Sequence, residues 1–398
     1  MGGPMEGVRV VEVGFWVAGP SCSGILADWG ADVIKVEPIA GDPFRSLDWF
    51  FEDGNPPFEL DNRGKRSIAL DYRSEAGARL LAELVDRADV FVSNLRPGGL
   101  ARAGLDPDTL RARNPRLVYA SVTGYGLDGP DRDRPAYDIG AFWSRAGVAA
   151  ALTTEEMPLP YQRGGMGDHM TGMSAAGAVA AALFARERTG QGQLVRASLL
   201  RLGLYMVGWD ANINLRSGLP TVPTSIDSPA NPLINAYTCA DGRAIWLLCL
   251  EGDRHWPDVV RAFERPDWLE DPRYTDIVSR KDHAAALVEE LREIFATRPR
   301  AEWEEVLDRH EVWWAPVQHT HEAVDDVQVR ANRGVVEVPI GDGSMASMVA
   351  TPVDFEGTPW GVRSMPPELG QHTELILAEE LGLGWDEIDA LRESGVIP

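Results

Sequence analysis

Residues 164–173, GGMGDHMTGM, set one carboxylate, Asp168, among four glycines and three methionines. A solvated turn does not need the methionines, and an apolar core does not accept an uncompensated charge. Two roles fit. Asp is a favoured helix N-cap because its oxygen accepts orphan backbone N–H groups, and a helix-like run follows it here. The same place at a helix start keeps a carboxylate ionised, and glycine neighbours let a bulky electrophile come close. Carboxylates do act as covalent nucleophiles. The decapeptide alone leaves both roles open. His169 comes next, and adjacent helical residues do not share a face, so it reads as a supporting or packing residue rather than an acid–base partner of Asp168.

Other chemistries lack a pattern. The seven histidines form no HxxH or HxxxH pair, and HTH (319–321) has no carboxylate or cysteine cluster beside it, so no metal site is expected. The three cysteines, Cys22, Cys239 and Cys249, are unsuitably spaced for zinc and too few for a disulfide scaffold, which fits a cytoplasmic protein. No GxGxxG follows the first valine-rich strand, and neither a GxSxG elbow nor a Walker loop occurs. A nicotinamide dehydrogenase would rest on β/α alternation alone. The net charge of -23 argues against nucleic acid and anionic membranes as partners. Two basic stretches, NRGKRS (62–67) and NLRPGGLAR (94–102), fall at predicted strand ends and suit an anionic small molecule. The N-terminal residues lack the pattern of a signal peptide, and no apolar run reaches about 18 residues, so no membrane span is expected.

The elements that must position these residues alternate. Strands are predicted at 8–14, 32–38, 67–71, 89–94, 117–126 and 194–200. Helices are predicted at 20–30, at 74–88 with Ser74 as N-cap, and at 169–187; residues 39–66 read as loop. This pattern gives an α/β fold, a Rossmann-like parallel sheet with helices on both faces. The Ala- and Gly-rich composition of 169–187 admits close approach by another element. Residues 219–232, rich in Pro, Ser and Thr, read as a linker. A smaller α+β domain should follow, with helices near 255–264, 281–296 and 301–310. Residues 343–355 read as strand returning to the first domain, and the chain closes in two short helices. The expected domains are 1–218, 219–335 and a C-terminal segment, 336–398, that rejoins the first.

A series of stretches resembles the class III CoA-transferases, the family of formyl-CoA transferase and the carnitine-CoA transferases, with 2-methylacyl-CoA racemase as a relative. They are AGPSCSGILADWGADVIKVEP (18–38), NRGKRSIALD (62–71), NLRPGGLARAGL (94–105), LVYASVTGYGLDGP (117–130), AYDIGAFWSRAG (136–147), GMGDHMTGM (165–173), ARERTGQGQLV (185–195) and the closing LGQHTELIL. They span nearly the whole chain in one order. The resemblance implies an interlaced homodimer and a reaction in which Asp168 attacks an acyl-CoA and CoA passes to a carboxylic acid acceptor. No metal and no tightly bound cofactor is implied; CoA and acyl-CoA are substrates. It also assigns CoA contacts to Val17, Ala18, Leu70, Arg73, Asn94, Leu95, Arg96 and Arg102, and places Tyr137 and Asp138 close to the nucleophile.

Val17 stands where formyl-CoA transferase has Gln, and Pro38 where it has Arg. TSIDSPANPLINAY (224–237) replaces that enzyme's run of glycines. These departures argue against formate and oxalate as substrates, and Phe15, Trp16 and Val17 suggest a larger or less polar acyl group. The racemase needs an acid–base group on each face of its substrate, and its relative uses a His well before the Asp. No His precedes His169 here, which favours the transferase. A CoA-binding protein without turnover is a further alternative, but it would have no need to keep the acid.

Overall fold

The computed structural model describes residues 2–50, 54–154, 157–221, 223, 225–340 and 343–398. Val222 and Thr224 of the expected linker lie outside the described residues. Strands β1 (Arg9–Val13), β2 (Asp32–Glu37), β3 (Arg66–Ala69), β4 (Val90–Ser93), β5 (Val118–Thr123) and β6 (Leu194–Ser198) form one parallel sheet in the order β3-β2-β1-β4-β5-β6. Val10, Val11, Ile34, Val90, Phe91 and Val118 are buried, as continuous apolar strands covered on both faces must be. The strand order reverses between β1 and β4, and the crevice beyond the carboxyl ends of such a pair is where open α/β sheets bind ligands.

The helices of this part are α1 (Ala18–Asp28), α2 (Pro56–Asn62), α3 (Glu75–Asp86), α4 (Pro97–Arg102), α5 (Pro107–Arg113), α6 (Val148–Ala151), α7 (Met166–Thr189), α8 (Leu199–Met206) and α9 (Gly208–Ser217). Ser74 caps α3 as expected, its Oγ accepting from the Gly77 N–H at 3.1 Å. Small residues bring α7 down onto α1: a Cβ on Gly172 would lie 2.6 Å from Ser21 Oγ. Two readings are corrected. The stretch before β3 contains α2, because Asn55 caps the helix by accepting from the Phe58 N–H and prolines occupy its first turn. The basic residues of 62–67 do not face a ligand. Arg63 pairs with Asp28 at 2.7 Å, Lys65 with Glu12 at 2.7 Å, and Arg66 with Asp32 at 2.5 Å.

The chain forms two compact units, residues 1–151, 159–221 and 327–398 in one, and 152–158 and 222–326 in the other. The second unit holds the antiparallel strands β7 (Ala236–Thr238), β8 (Ala244–Leu247) and β9 (Trp314–Pro316), with helices α10 (Gly252–Ala262), α11 (Ile277–Asp282), α12 (Ala284–Phe295), α13 (Arg300–Arg309) and α14 (Thr320–Ala323). The helix expected at 281–296 is thus two, divided at His283. The first unit resumes with α15 (Val327–Ala331), β10 (Val335–Pro339), β11 (Met345–Val349), α16 (Thr373–Leu381) and α17 (Trp385–Glu393). It resumes at Val327, and β10 pairs with β11 in a two-stranded hairpin. Among the described residues no helix is long and apolar enough to cross a membrane.

Candidate active site

The turn after β1 is fixed by side chains from three directions. Asn94 clamps it from the end of β4, accepting from the Phe15 N–H at 3.0 Å and donating to the Phe15 carbonyl at 2.7 Å. Asn94, expected to contact CoA, thus holds the turn in this structure. Asp42 accepts from the Trp16 N–H at 3.2 Å, and Lys35 Nζ donates to the Gly14 carbonyl at 3.2 Å. Trp16 needs this support, because its φ of 63° lies in the left-handed region that a bulky residue avoids. The Trp16 ring packs against Phe44 at 5.8 Å and edge-on to Tyr137 at 5.9 Å.

Lys35, which also pairs with Asp42, belongs to a fully buried ionic group. Its ammonium lies 2.9 Å from one oxygen of Glu12, while Lys65 and Ser23 share the other. Burial alone would raise the Glu12 pKa, but Lys35 and Lys65 hold it down to about 2.

Tyr137 leads directly to the nucleophile candidate. The next residue, Asp138, is buried and accepts from the Gly167 N–H at 2.9 Å. Gly167 has no room for a side chain, since a Cβ would lie 2.3 Å from both Asp138 Oδ1 and the Phe142 ring. Helix α7 starts earlier than expected, with Gly165 as its cap residue at φ 77°. Asp168 is therefore the third helical residue and not the N-cap; Asp138 takes the capping role from a distant part of the chain. Asp168 remains half-buried, and among the described residues its carboxylate has no hydrogen-bond or ion-pair partner. Burial raises its pKa from 3.8 to about 7, helped by the Asp138 and Asp61 charges and opposed by His169. The helix start thus does not keep Asp168 in the ordinary carboxylate range; desolvation and like charge outweigh the dipole. His169 Nε2 lies 3.1 Å from Asp61 Oδ1. Sequence reading missed Asp61, and the Asn-Pro-Pro start of α2 was the signal that could have placed it on a helix.

Beyond the carboxyl ends of β1, β3 and β4 lies a cleft of about 1010 Å³, lined by Phe15, Tyr72, Arg73, Leu95, Arg96 and Arg102 among others. The structure thus gathers Arg73, Leu95, Arg96 and Arg102, four of the residues assigned to CoA, in one cleft. The three arginines have no ion-pair partner among the described residues. Leu70 departs from expectation: it is fully buried in the core under this sheet. Val17 caps α1 and Ala18 is buried at its first turn; neither lines the cleft.

Residues 5–373 match the family described as CoA-transferase family III. The chain belongs to this family. It is 32% identical over 398 residues to (R)-2-hydroxy-4-methylpentanoate CoA-transferase of Clostridioides difficile, covering 99% of each chain. It is 31% identical to cinnamoyl-CoA:phenyllactate CoA-transferase of Clostridium sporogenes, covering 98% of this chain and 96% of that one. Its structure is similar to that of a CAIB/BAIF family protein from Brucella suis, with TM-score 0.85 and 29% identity over 95% of this chain and 100% of that one. The protein is an enzyme of the CoA-transferase type, and CoA-transferases use CoA thioesters as substrates. Glu75 and Asp133 also line the cleft, and the Arg102 charge acts on Asp133; in a chain of such negative net charge, three arginines without an ion pair among the described residues make it the candidate anion site. Arg96→Ala and Arg102→Ala should each raise KM for acyl-CoA about tenfold, with a smaller effect on kcat. Steady-state kinetics check this, and the difference should narrow in high salt, where exposed charges are screened.

Proposed function

We propose that the enzyme moves CoA between two bulky, weakly polar carboxylic acids through covalent intermediates on Asp168. One observation carries the reading. At the first turn of α7, Asp138 does the capping and leaves the half-buried Asp168 carboxylate without a hydrogen-bond or ion-pair partner among the described residues. The cleft supports it, because its wall at Phe15 continues through Trp16 to Tyr137 and Asp138.

In the first step an Asp168 oxygen attacks the thioester carbonyl, the C–S bond breaks, and CoA leaves as thiolate, giving an acyl–aspartyl anhydride. The thiolate then attacks the aspartyl carbonyl and expels the first acid as carboxylate, leaving an aspartyl-CoA thioester. The acceptor carboxylate attacks that thioester and releases thiolate again. The thiolate takes the acceptor's acyl carbon and frees Asp168. No net proton is transferred. The Met166 and Asp168 N–H groups have no acceptor among the described residues, and at a helix start they are placed to stabilise the oxyanions.

Trp16, Phe44 and Tyr137 form an aromatic group that favours a branched or aryl acyl chain. The names of the two relatives, transferases for a branched 2-hydroxy acid and for cinnamoyl and phenyllactyl groups, agree with it. The test is a trap. The enzyme is incubated with succinyl-, acetyl-, butyryl- or cinnamoyl-CoA and hydroxylamine, and its peptides are mapped by mass spectrometry. A hydroxamate on Asp168, strongest with cinnamoyl-CoA and absent in Asp168→Asn, is the expected result. No label with exchange of the substrate's α-hydrogen in deuterated water would favour a racemase, and neither label nor exchange a CoA-binding protein.

The reading includes the interlaced homodimer. Tyr205, Trp209 and Leu215 on α8 and α9 are exposed and apolar, and association would cover such a surface. Sedimentation should give twice the chain mass of 43.6 kDa.

A further inference from the structure

Asp168 stands in a group of three carboxylates drawn from separate segments: Asp61 at the end of α2, Asp138 before the Ile139–Arg145 helical turn, and Asp168 on α7. Asp61 and Asp138 are buried, and each has one oxygen, Asp61 Oδ2 and Asp138 Oδ1, without a hydrogen-bond partner. The basic group beside them among the described residues is His169, with Nε2 3.1 Å from Asp61 Oδ1. Behind Asp61, Lys65 is engaged by Glu12 and Arg63 by Asp28, each at 2.7 Å. We propose that Asp61 and His169 form a positioning pair that holds an imidazolium beside Asp168 and so keeps Asp168 ionised for attack. This rests on the reading of Asp168 as the nucleophile.

Three carboxylates this close cannot all stay charged without a compensating cation, since each raises the others' proton affinity. Burial raises the proton affinity of Asp61, and the His169 ring that bonds it opposes that rise. Its bond to Nε2 also fixes the ring's direction. The ring lies over Gly165, where a Cβ would approach His169 Cε1 to 3.0 Å, so a glycine there makes room for it. His169 follows Asp168 on the helix and does not share its face, so it acts through its field and not through contact. The influence runs both ways. Burial alone would make His169 easier to deprotonate, but Asp61, Asp168 and Asp138 raise its proton affinity above the ordinary range. In return His169 restrains the rise at Asp168. Coupling of this kind is reciprocal by thermodynamic necessity.

The experiment compares kcat/KM against pH in wild type, Asp61→Asn and His169→Asn, with histidine NMR titrations alongside. Asp61→Asn keeps the shape and removes the charge. His169 then releases its proton at lower pH, while at Asp168 the loss of the Asp61 like charge and the weakened imidazolium oppose each other. His169→Asn removes the cation and keeps both carboxylates, so it gives the decisive profile: its acid limb should move up by about half to one pH unit, a loss of roughly three- to tenfold at pH 6 that shrinks toward pH 9. The His169 resonance, assigned by its absence in His169→Asn, should titrate at lower pH in both Asp61→Asn and Asp168→Asn. A loss equal at every pH, or a His169 titration indifferent to Asp168→Asn, overturns the pair. A His169 titration that follows Asp168 while no hydroxamate ever forms there removes the nucleophile reading and leaves the pairing in place.

Discussion

Asp168→Asn should lower CoA transfer by at least about 10³-fold, the scale of loss when a covalent nucleophile is removed and binding groups remain. Binding of acyl-CoA should change little, because the arginines of the cleft are untouched. The same substitution should make the protein more stable above neutral pH. The sign follows from the direction of the shift. The folded state holds the Asp168 proton up to about pH 7, whereas an unperturbed Asp loses it near 3.8. Between these values the folded state binds more protons than the unfolded, so stability falls as pH rises, and the penalty is complete above pH 7. Partial exposure reduces the penalty, and about 1–3 kcal/mol is reasonable after allowing for solvent screening. Thermal unfolding should therefore show Asp168→Asn several degrees above wild type at pH 8, with the gap closing toward pH 4. A variant that is inactive and also less stable at pH 8 would mean Asp168 is a structural residue.

That opposition between stability and activity bears on what the sequence could disclose. Asp168 stood out by composition, and the strand–helix alternation placed it just before the helix in whose first turn it lies. Its environment comes from elsewhere in the chain. Asp138 lies about thirty residues earlier and Asp61 more than a hundred, and no local pattern links them to a glycine N–H and a histidine ring. The α2 helix was missed because seven residues with two prolines carry little periodicity, although Asn55 and the prolines are good start signals. The basic stretch 62–67 misled for a related reason: charge in a sequence does not say whether its partner is a ligand or a buried acid such as Glu12. Arg73, Arg96 and Arg102 line one cleft because they follow strand ends, where parallel-sheet topology fixes the direction they face.

The Glu12 group yields the other large effect. Glu12→Ala should destabilise the fold by about 3–5 kcal/mol, because it removes the carboxylate that pairs with both buried ammonium groups and leaves, among the described residues, only the Lys35–Asp42 ion pair between them. Two pH effects follow. In wild type the Glu12 carboxylate is held from 4.5 down to about 2, so its stabilisation is present above pH 4.5 and is lost as pH falls toward 2. In the variant, the uncompensated charge is relieved when Lys65 loses its proton. Burial already lowers the Lys65 pKa to about 8, with Lys35 adding to the effect and Glu12 opposing it. Without Glu12 that proton is lost more readily, so the deficit should be largest near pH 6 and smaller at pH 9, the reverse of an ordinary core truncation, which is indifferent to pH. Thermal unfolding at the two pH values separates these cases, and a change in melting temperature below about 2 °C at pH 6 would refute the argument. The consequence reaches the site. Lys35 and Asp42 tie this group to Gly14 and to the Trp16 N–H, so loosening it frees the turn that holds Trp16 in a strained conformation. At temperatures where the variant stays folded, KM for bulky acyl-CoAs should rise more than KM for acetyl-CoA, because only the larger groups need the aromatic wall that Trp16 forms with Phe44 and Tyr137.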